Sequence, residues 1–233
     1  MLRKANTSID LFLMIRKTKI IATIGPSTSS KEMLRRIIQR GVNVCRLNFS
    51  HLSHEKAKEI VTSIKEINQE LSVHTAILAD LQGPKIRVGE FDKPIKLKKG
   101  AIVTFSTKKK KDTIQINYQG FAKDVLPKDK VLLDDGKLAL EVVSTNKKDA
   151  VILKVIFGGL LQSRKGVNLP NTKISLPCLT PKDKEDLAFI LAEKIEWVGL
   201  SFVRSAKDVK ILKKIIDKKK LHHKVIAKVE KPE

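Results

Sequence analysis

The chain has 233 residues, of which 42% are hydrophobic, so it can bury one large α/β core or two smaller ones. Its two cysteines, Cys45 and Cys178, match no metal or redox spacing and exclude a disulfide-stapled scaffold. The formal net charge of +22 raises nucleic acid as a partner, and no apolar run is long enough for a membrane-spanning helix.

The segment Ile9 to Ile15 is apolar but short, with no small-residue cleavage site behind it. Residues 1–14 therefore read as a leader or a misread start ahead of Met14. Lys19 to Ile24 predicts a first strand buried on both faces, stopped by Gly25-Pro26-Ser27. Ser29 or Ser30 then caps a helix with Leu34, Ile37 and Ile38 on one face, and Gly41 ends it. Gly41 to His51 predicts a second strand, apolar at Val42, Val44 and Leu47, with a polar tip of Arg46, Asn48, Ser50 and His51. Ser53 caps a long helix with Ala57, Ile60, Val61, Ile64 and Leu71 at helical spacing. A third strand runs from about His74 to Asp80.

After Gly83-Pro84-Lys85-Ile86-Arg87 the helical periodicity stops until Thr180. Five short β-rich runs replace it: Ala101 to Ser106, Thr113 to Asn117, Lys130 to Leu133, Leu138 to Val143, and Val151 to Phe157. Asp134-Asp135-Gly136 is a hairpin signal between two of them. This stretch reads as an antiparallel β domain inserted after the third strand. Thr180-Pro181-Lys182-Asp183 opens the next helix with a cap, a first-turn proline and an acid near the positive end. Trp197 to Ser201 is a fourth strand, with Arg204 close behind. Ser205 caps a helix carrying Val209, Leu212, Ile215 and Ile216, and Lys224 to Glu230 is a fifth strand.

A βα unit takes about 30 residues, and a closed (β/α)₈ barrel needs eight of them. Five such units describe either an open sheet or a barrel cut short. Apolar strands with polar C-terminal tips place ligand chemistry at one end of a parallel sheet. Arg46, Asp80, Ser201, Lys228 and Glu230 would converge there on an anionic ligand. Basic residues lie on most helices rather than in one stripe, Lys108 to Lys111 is the only solid run, and aromatics are 4%. The charge thus reads as a solvated surface whose field favours an anionic substrate, rather than as a base-stacking platform.

Six stretches carry a resemblance. They are Thr18 to Pro26, Arg46-Leu47-Asn48-Phe49-Ser50-His51, Asp80-Leu81-Gln82-Gly83-Pro84-Lys85-Ile86-Arg87, Lys165-Gly166-Val167-Asn168-Leu169-Pro170, Ser201-Phe202-Val203-Arg204 and Lys228-Val229-Glu230. Their types and order resemble pyruvate kinase from about Ile15 onward. The resemblance implies an α/β fold: a partial (β/α)₈ TIM barrel with an inserted antiparallel β-barrel domain. Residues 15–87 would open the barrel domain, 88–171 would form the inserted lid, and 172–233 would continue the barrel, truncated after strand five. It implies phosphoryl transfer from phosphoenolpyruvate to ADP, giving pyruvate and ATP, in a cytoplasmic homo-oligomer. A catalytically inactive fragment or broken-gene product is the alternative. A basic nucleic-acid binder is the remote one, opposed by six motifs in order.

The resemblance also assigns residues. Arg46 matches the arginine on the substrate phosphate, and Lys228 the lysine that stabilises the transferring phosphoryl and the enolate. Glu230 matches one of two carboxylates that hold Mg²⁺ (or Mn²⁺). The other carboxylate, in a Gly-Asp stretch after strand six, and the proton-delivering threonine have no counterpart in this sequence. Arg87 and Lys165 match contacts to nucleotide phosphates, on ADP or ATP, from two sides of the lid hinge. Asn48, Ser50, Asp80 and Leu81 match the K⁺ ligands, with leucine where some members carry threonine. Lys85 stands where K⁺-dependent members carry glutamate, so its ammonium is expected to replace the ion and K⁺ is expected not to be required. His51 is expected to pack or cap. His222 and His223 receive no role.

Overall fold

A computed structural model of the chain describes residues 17–219 and 223–230. The leader reading of residues 1–14 lies outside the described residues, as does His222. The chain divides into two compact units. One comprises the chain up to Leu81 with Glu185–Leu200 and Lys213–Ile226; the other comprises Gln82–Lys184, Ser201–Leu212 and the chain from Ala227.

The first unit is built on a five-stranded sheet. In chain order its elements are strand β1 (Ile21–Ile24), helix α1 (Lys31–Gln39), β2 (Val44–Asn48), α2 (His54–Leu71) and β3 (Ala76–Asp80). The second unit intervenes, with β4 (Ile95–Leu97), β5 (Ile102–Ser106), β6 (Ile114–Gln115), α3 (Phe121–Asp124), β7 (Lys130–Leu133), β8 (Leu138–Thr145), β9 (Ala150–Phe157), β10 (Gly159–Leu161) and β11 (Val167–Asn168). The chain then forms α4 (Pro181–Ala192), β12 (Trp197–Leu200), α5 (Ala206–Lys218) and β13 (Lys224–Ala227).

The first sheet has the order β1-β2-β3-β12-β13. β1 with β2, β2 with β3 and β3 with β12 are all parallel. Helical crossovers explain this, because parallel strands cannot be joined by tight hairpins. Ser30 caps α1, its hydroxyl accepting from Met33 N at 3.2 Å, and Leu34 and Ile38 are buried while Ile37 is half-buried. Ser53 caps α2 in the same way, and Ala57, Ile60, Val61, Ile64 and Ile67 form its buried stripe. Ile67 takes the place expected for Leu71, which is half-buried in the last turn.

The first strand departs from expectation. It is shorter than predicted, and Ile21 is 54% exposed although it was expected to be buried on both faces. The physical reason is position: β1 is an edge strand of this sheet, so only Ile24 is fully covered. The fifth strand also stops early, at Ala227, leaving Lys228 and Glu230 beyond the strand rather than in it.

Cys45 lies in β2 and is wholly buried, and burial pushes its thiol up to about 12. Cys178 is buried too, its thiol raised by burial and by Asp208. Both thiols are expected to stay silent towards Ellman's reagent at pH 8 until denaturant is added, when two equivalents should appear. Reaction of Cys45 in the native protein would contradict its placement. The folded thiol of Cys45 keeps its proton where the unfolded one loses it. Its contribution to stability is therefore full below the ordinary thiol range and is lost as pH rises towards about 12.

The second unit carries a six-stranded sheet in the order β11-β7-β8-β9-β5-β6 and a two-stranded β4-β10 pair. Every pairing in it is antiparallel except β5 with β6, which is parallel. The all-antiparallel expectation therefore fails at that one pair, where residues 107–113 form a crossover instead of a hairpin. The Asp134-Asp135-Gly136 hairpin forms as read, with Leu133 opposite Leu138 and positive φ at all three turn residues. Phe105, Ile116, Tyr118, Phe121 and Leu133 sit in the unit's core. The sequence reading had no signal for α3, whose four residues are too few to show a period.

Candidate active site

In the first unit, parallel register sets Thr23 beside Arg46 and Asn48 beside Asp80. Arg46 is held from both sides. Its Nη1 donates to Thr23 Oγ1 at 3.0 Å, and its Nε donates to Asp80 Oδ2 at 2.8 Å, with Nη2 on the same carboxylate oxygen. Asp80 is 2% exposed, so a buried carboxylate aims a partly open guanidinium. Gly199 lies opposite Asp80 across the β3–β12 pair, and a Cβ there would come within 3.0 Å of Asp80 Oδ1. A side chain at 199 would thus press on the residue that orients Arg46. Asn48 Oδ1 accepts from Ser50 N at 3.1 Å, which folds the strand tip back on itself. Leu81 is buried, its N–H donating to Gly199 O at 3.0 Å. The structure therefore brings Arg46, Asn48, Ser50, Asp80 and Leu81 to the ends of two neighbouring strands.

The β2 tip has a support that the sequence reading missed. Phe49 is buried, its N–H donates to Asp80 O at 3.0 Å, and its ring packs against His54 and Phe189. His54 stacks on Phe189 with centroids 4.6 Å apart, and its Nε2 lies 2.8 Å from Asp186 Oδ1. Attention to His51, which is exposed, overlooked His54, the first residue of α2 after its Ser53 cap. The usable signal was Asp186 among the apolar positions of α4: a buried acid needs a partner.

In the second unit, Lys228 follows β13 directly. Its Nζ donates to Ser201 Oγ at 2.9 Å and lies 3.1 Å from Glu230 Oε1. Val203 N donates to Lys228 O at 3.0 Å, pinning the backbone under that lysine. A cleft of ≈ 580 Å³ in this unit is lined by Lys85, Arg87, Asp134, Lys165, Arg204 and Glu230, among others. Five cationic side chains face three carboxylates there, so the cleft suits an anion. Arg87 Nη1 donates to Arg164 O at 3.1 Å, and the isolated bridge Arg87–Gly166 draws Lys165 alongside. Lys165 Nζ lies 2.8 Å from Asp134 Oδ1, and that lysine, with Lys137, holds the Asp134 carboxyl below its usual range. Asp134 entered the sequence reading only as a turn residue, and Arg204 as a residue close behind the fourth strand and a motif member. Both line the cleft, and for Asp134 that role has no local sequence signal.

The turn ahead of Lys85 is fixed by an acid. Asp183 is wholly buried; its Oδ2 accepts from Thr180 N at 2.8 Å and from Thr180 Oγ1 at 2.6 Å, and its Oδ1 accepts from Gly83 N at 3.1 Å. Thr180 Oγ1 in turn accepts from Asp183 N at 3.0 Å, a reciprocal cap at the start of α4. Gly83 has φ +69°, and a Cβ there would meet Ser201 and Phe202 at 3.0 Å.

Among the described residues no cluster of three His, Cys, Asp or Glu side chains forms a metal-binding group. Glu230 supplies one carboxylate, and it is engaged by Lys228. Among the described residues, Glu230 alone does not complete a Mg²⁺ site. No helix among the described residues is long and apolar enough to cross a membrane.

The family model described as "Pyruvate kinase, barrel domain" matches residues 15–233. Pyruvate kinase 2 of Synechocystis sp. is 45% identical over 226 residues, covering 94% of this chain and 38% of the relative. Pyruvate kinase of Corynebacterium glutamicum is 40% identical over 224 residues, covering 94% of this chain and 47% of the relative. Pyruvate kinase of Staphylococcus aureus is 38% identical over 224 residues, covering 94% and 38%. The chain thus spans less than half the length of these relatives. With strand order, polar strand ends and a predominantly cationic cleft agreeing with that match, the chain belongs to the pyruvate kinase family, over its barrel domain.

Proposed function

We propose that this chain carries the phosphate-handling half of an enzyme that transfers phosphate from phosphoenolpyruvate to ADP. The observation that carries the reading is the Lys228–Ser201–Glu230 cluster at a strand end, in the unit whose cleft holds Arg87 and Lys165. Phosphoryl transfer is mainly positioning plus neutralisation of spread negative charge. Arg46 serves as the phosphate clamp, because a guanidinium offers forked donors and stays charged. A phosphate would take over the donors that Asp80 now holds. Lys228 serves as the close positive charge that follows the phosphoryl group and the enolate oxygen. Arg87 and Lys165 bind nucleotide phosphates, Lys165 releasing Asp134 to do so. In this reading the sheet of the second unit, residues 88–171, is the family's lid, and residues 15–87 and 172–233 belong to the barrel.

Family members work with Mg²⁺ and K⁺. Here Glu230 would be one of the two carboxylates that hold Mg²⁺, and the resemblance puts the second in a stretch that this sequence does not contain, so the chain alone is expected to be inactive. The inactive-fragment reading shares that expectation, and the two part on what happens when the chain is completed. A chimera joining this chain to the remaining length of a curated relative tests the point. Pyruvate formation by the chimera supports the enzyme reading. A folded chimera that never forms pyruvate supports the inactive one.

The cation reading follows the same route. Asn48, Ser50, Asp80 and Leu81 stand at the K⁺ positions, and Lys85 supplies a fixed positive charge in place of the ion. The chimera is expected to show less than about twofold activation by K⁺, and its Lys85→Glu variant to require the ion for most of its rate. Strong K⁺ activation of the unmutated chimera would reject the substitution.

A further inference from the structure

A second cavity, of ≈ 630 Å³, lies in the second unit beside the first cleft. It is framed by the segment Pro170–Cys178 and the start of α5. Its walls are apolar at Ile174, Leu176, Pro177, Cys178 and Ile211. Burial raises the Cys178 thiol, so that wall stays uncharged at neutral pH.

The ionic groups inside it are already matched. Arg204 donates from its backbone N and its Nε to Asp208 Oδ2 at 3.1 and 3.2 Å, and from Nη2 to Asp208 Oδ1 at 3.3 Å. Its Nη1 donates to Ile174 O at 3.0 Å. That pair cancels its own charge and leaves Lys173 and Lys207, both exposed at the cavity's rim. Neither makes an ion pair with an acid among the described residues. An apolar pocket of this size with two cations at its mouth selects for an apolar body joined to an anionic head.

We propose that this cavity binds a small organic anion, with its apolar body against Ile174, Pro177 and Ile211 and its phosphate or carboxylate at Lys173 and Lys207. Ile174, Leu176 and Arg204 also line the first cleft, so the ligand touches a wall that both cavities share. The proposal concerns binding and stands whether or not the chain supports catalysis.

Phenyl phosphate, titrated into the purified chain by calorimetry, is the probe. Millimolar binding or tighter is expected. The double variant Lys173→Glu/Lys207→Glu should weaken it about tenfold. Ile211→Trp, which fills the pocket from a partly exposed position, should abolish it. The Arg87→Glu/Lys165→Glu variant disables the cleft and should leave this binding unchanged. Inorganic phosphate should bind about tenfold more weakly than phenyl phosphate, because it cannot use the apolar wall. Circular dichroism and an unchanged melting temperature check that each variant folds. Three results would each overturn the site: no binding at about 10 mM, loss of binding in the cleft variant, or binding that survives both the lysine pair and Ile211→Trp. Equal affinity for inorganic phosphate would overturn the ligand class.

Discussion

In the completed chimera, Lys228→Met should lower kcat for pyruvate formation by about two to three orders of magnitude while changing KM for phosphoenolpyruvate only a few fold. The side chain is poised rather than buried, about a third exposed, and its ammonium is shared between Ser201 Oγ and Glu230 Oε1. Such a cation gains most when charge moves onto the transferring group, which is a transition-state interaction. Methionine preserves length and removes the charge. A raised KM with little change in kcat would instead mark Lys228 as a ground-state binder. An unchanged kcat would remove it from the chemistry altogether. Arg46→Lys is the companion: it keeps one charge but loses the fork that reaches both Thr23 and Asp80, so its loss should fall mainly on KM.

Asp183→Ala should destabilise the fold by about 3 kcal/mol, read as a shift in the urea midpoint. The wholly buried carboxylate accepts from Thr180 N, Thr180 Oγ1 and Gly83 N. Alanine leaves those donors without an acceptor and removes half of a reciprocal helix cap, and each loss costs on the order of 1 kcal/mol or more. The effect should reach function through Gly83, whose left-handed backbone sets the turn that leads to Lys85 and Arg87. Asp183→Asn keeps one acceptor oxygen and should lose less. A loss under about 1 kcal/mol in the alanine variant would show that this cap does not hold the turn.

Much of the fold was legible because the relevant signals are local. The caps at Ser30, Ser53 and Thr180 each stand one residue before the helix that carries an apolar period, and each helix begins where its cap says. The Asp-Asp-Gly hairpin was readable because its backbone needs positive φ. The exposure of Ile21 was not, since an edge strand and a central strand can share one composition and differ only in neighbours. The short strands β4, β10 and β11 lack enough residues to show alternation. The same division holds for the candidate site. Strand-end polar residues announced Arg46, Asp80 and Lys228, which follow apolar runs. Asp134 beside Lys165, and Asp186 beside His54, are contacts across 31 and 132 positions, and nothing near either residue marks its partner.

On the proposed function, this chain holds phosphoryl-transfer groups that need the rest of a metal site to work. Pyruvate formation from phosphoenolpyruvate and ADP, followed by a lactate dehydrogenase couple, tests it most directly. The measurement compares the purified chain, the chimera and the Lys228→Met chimera. No turnover by the chain alone, turnover by the chimera, and its loss in the variant are expected. Turnover by the chain alone that vanishes in Lys228→Met would contradict the need for completion, and a chimera indifferent to Lys228→Met would contradict the assignment itself.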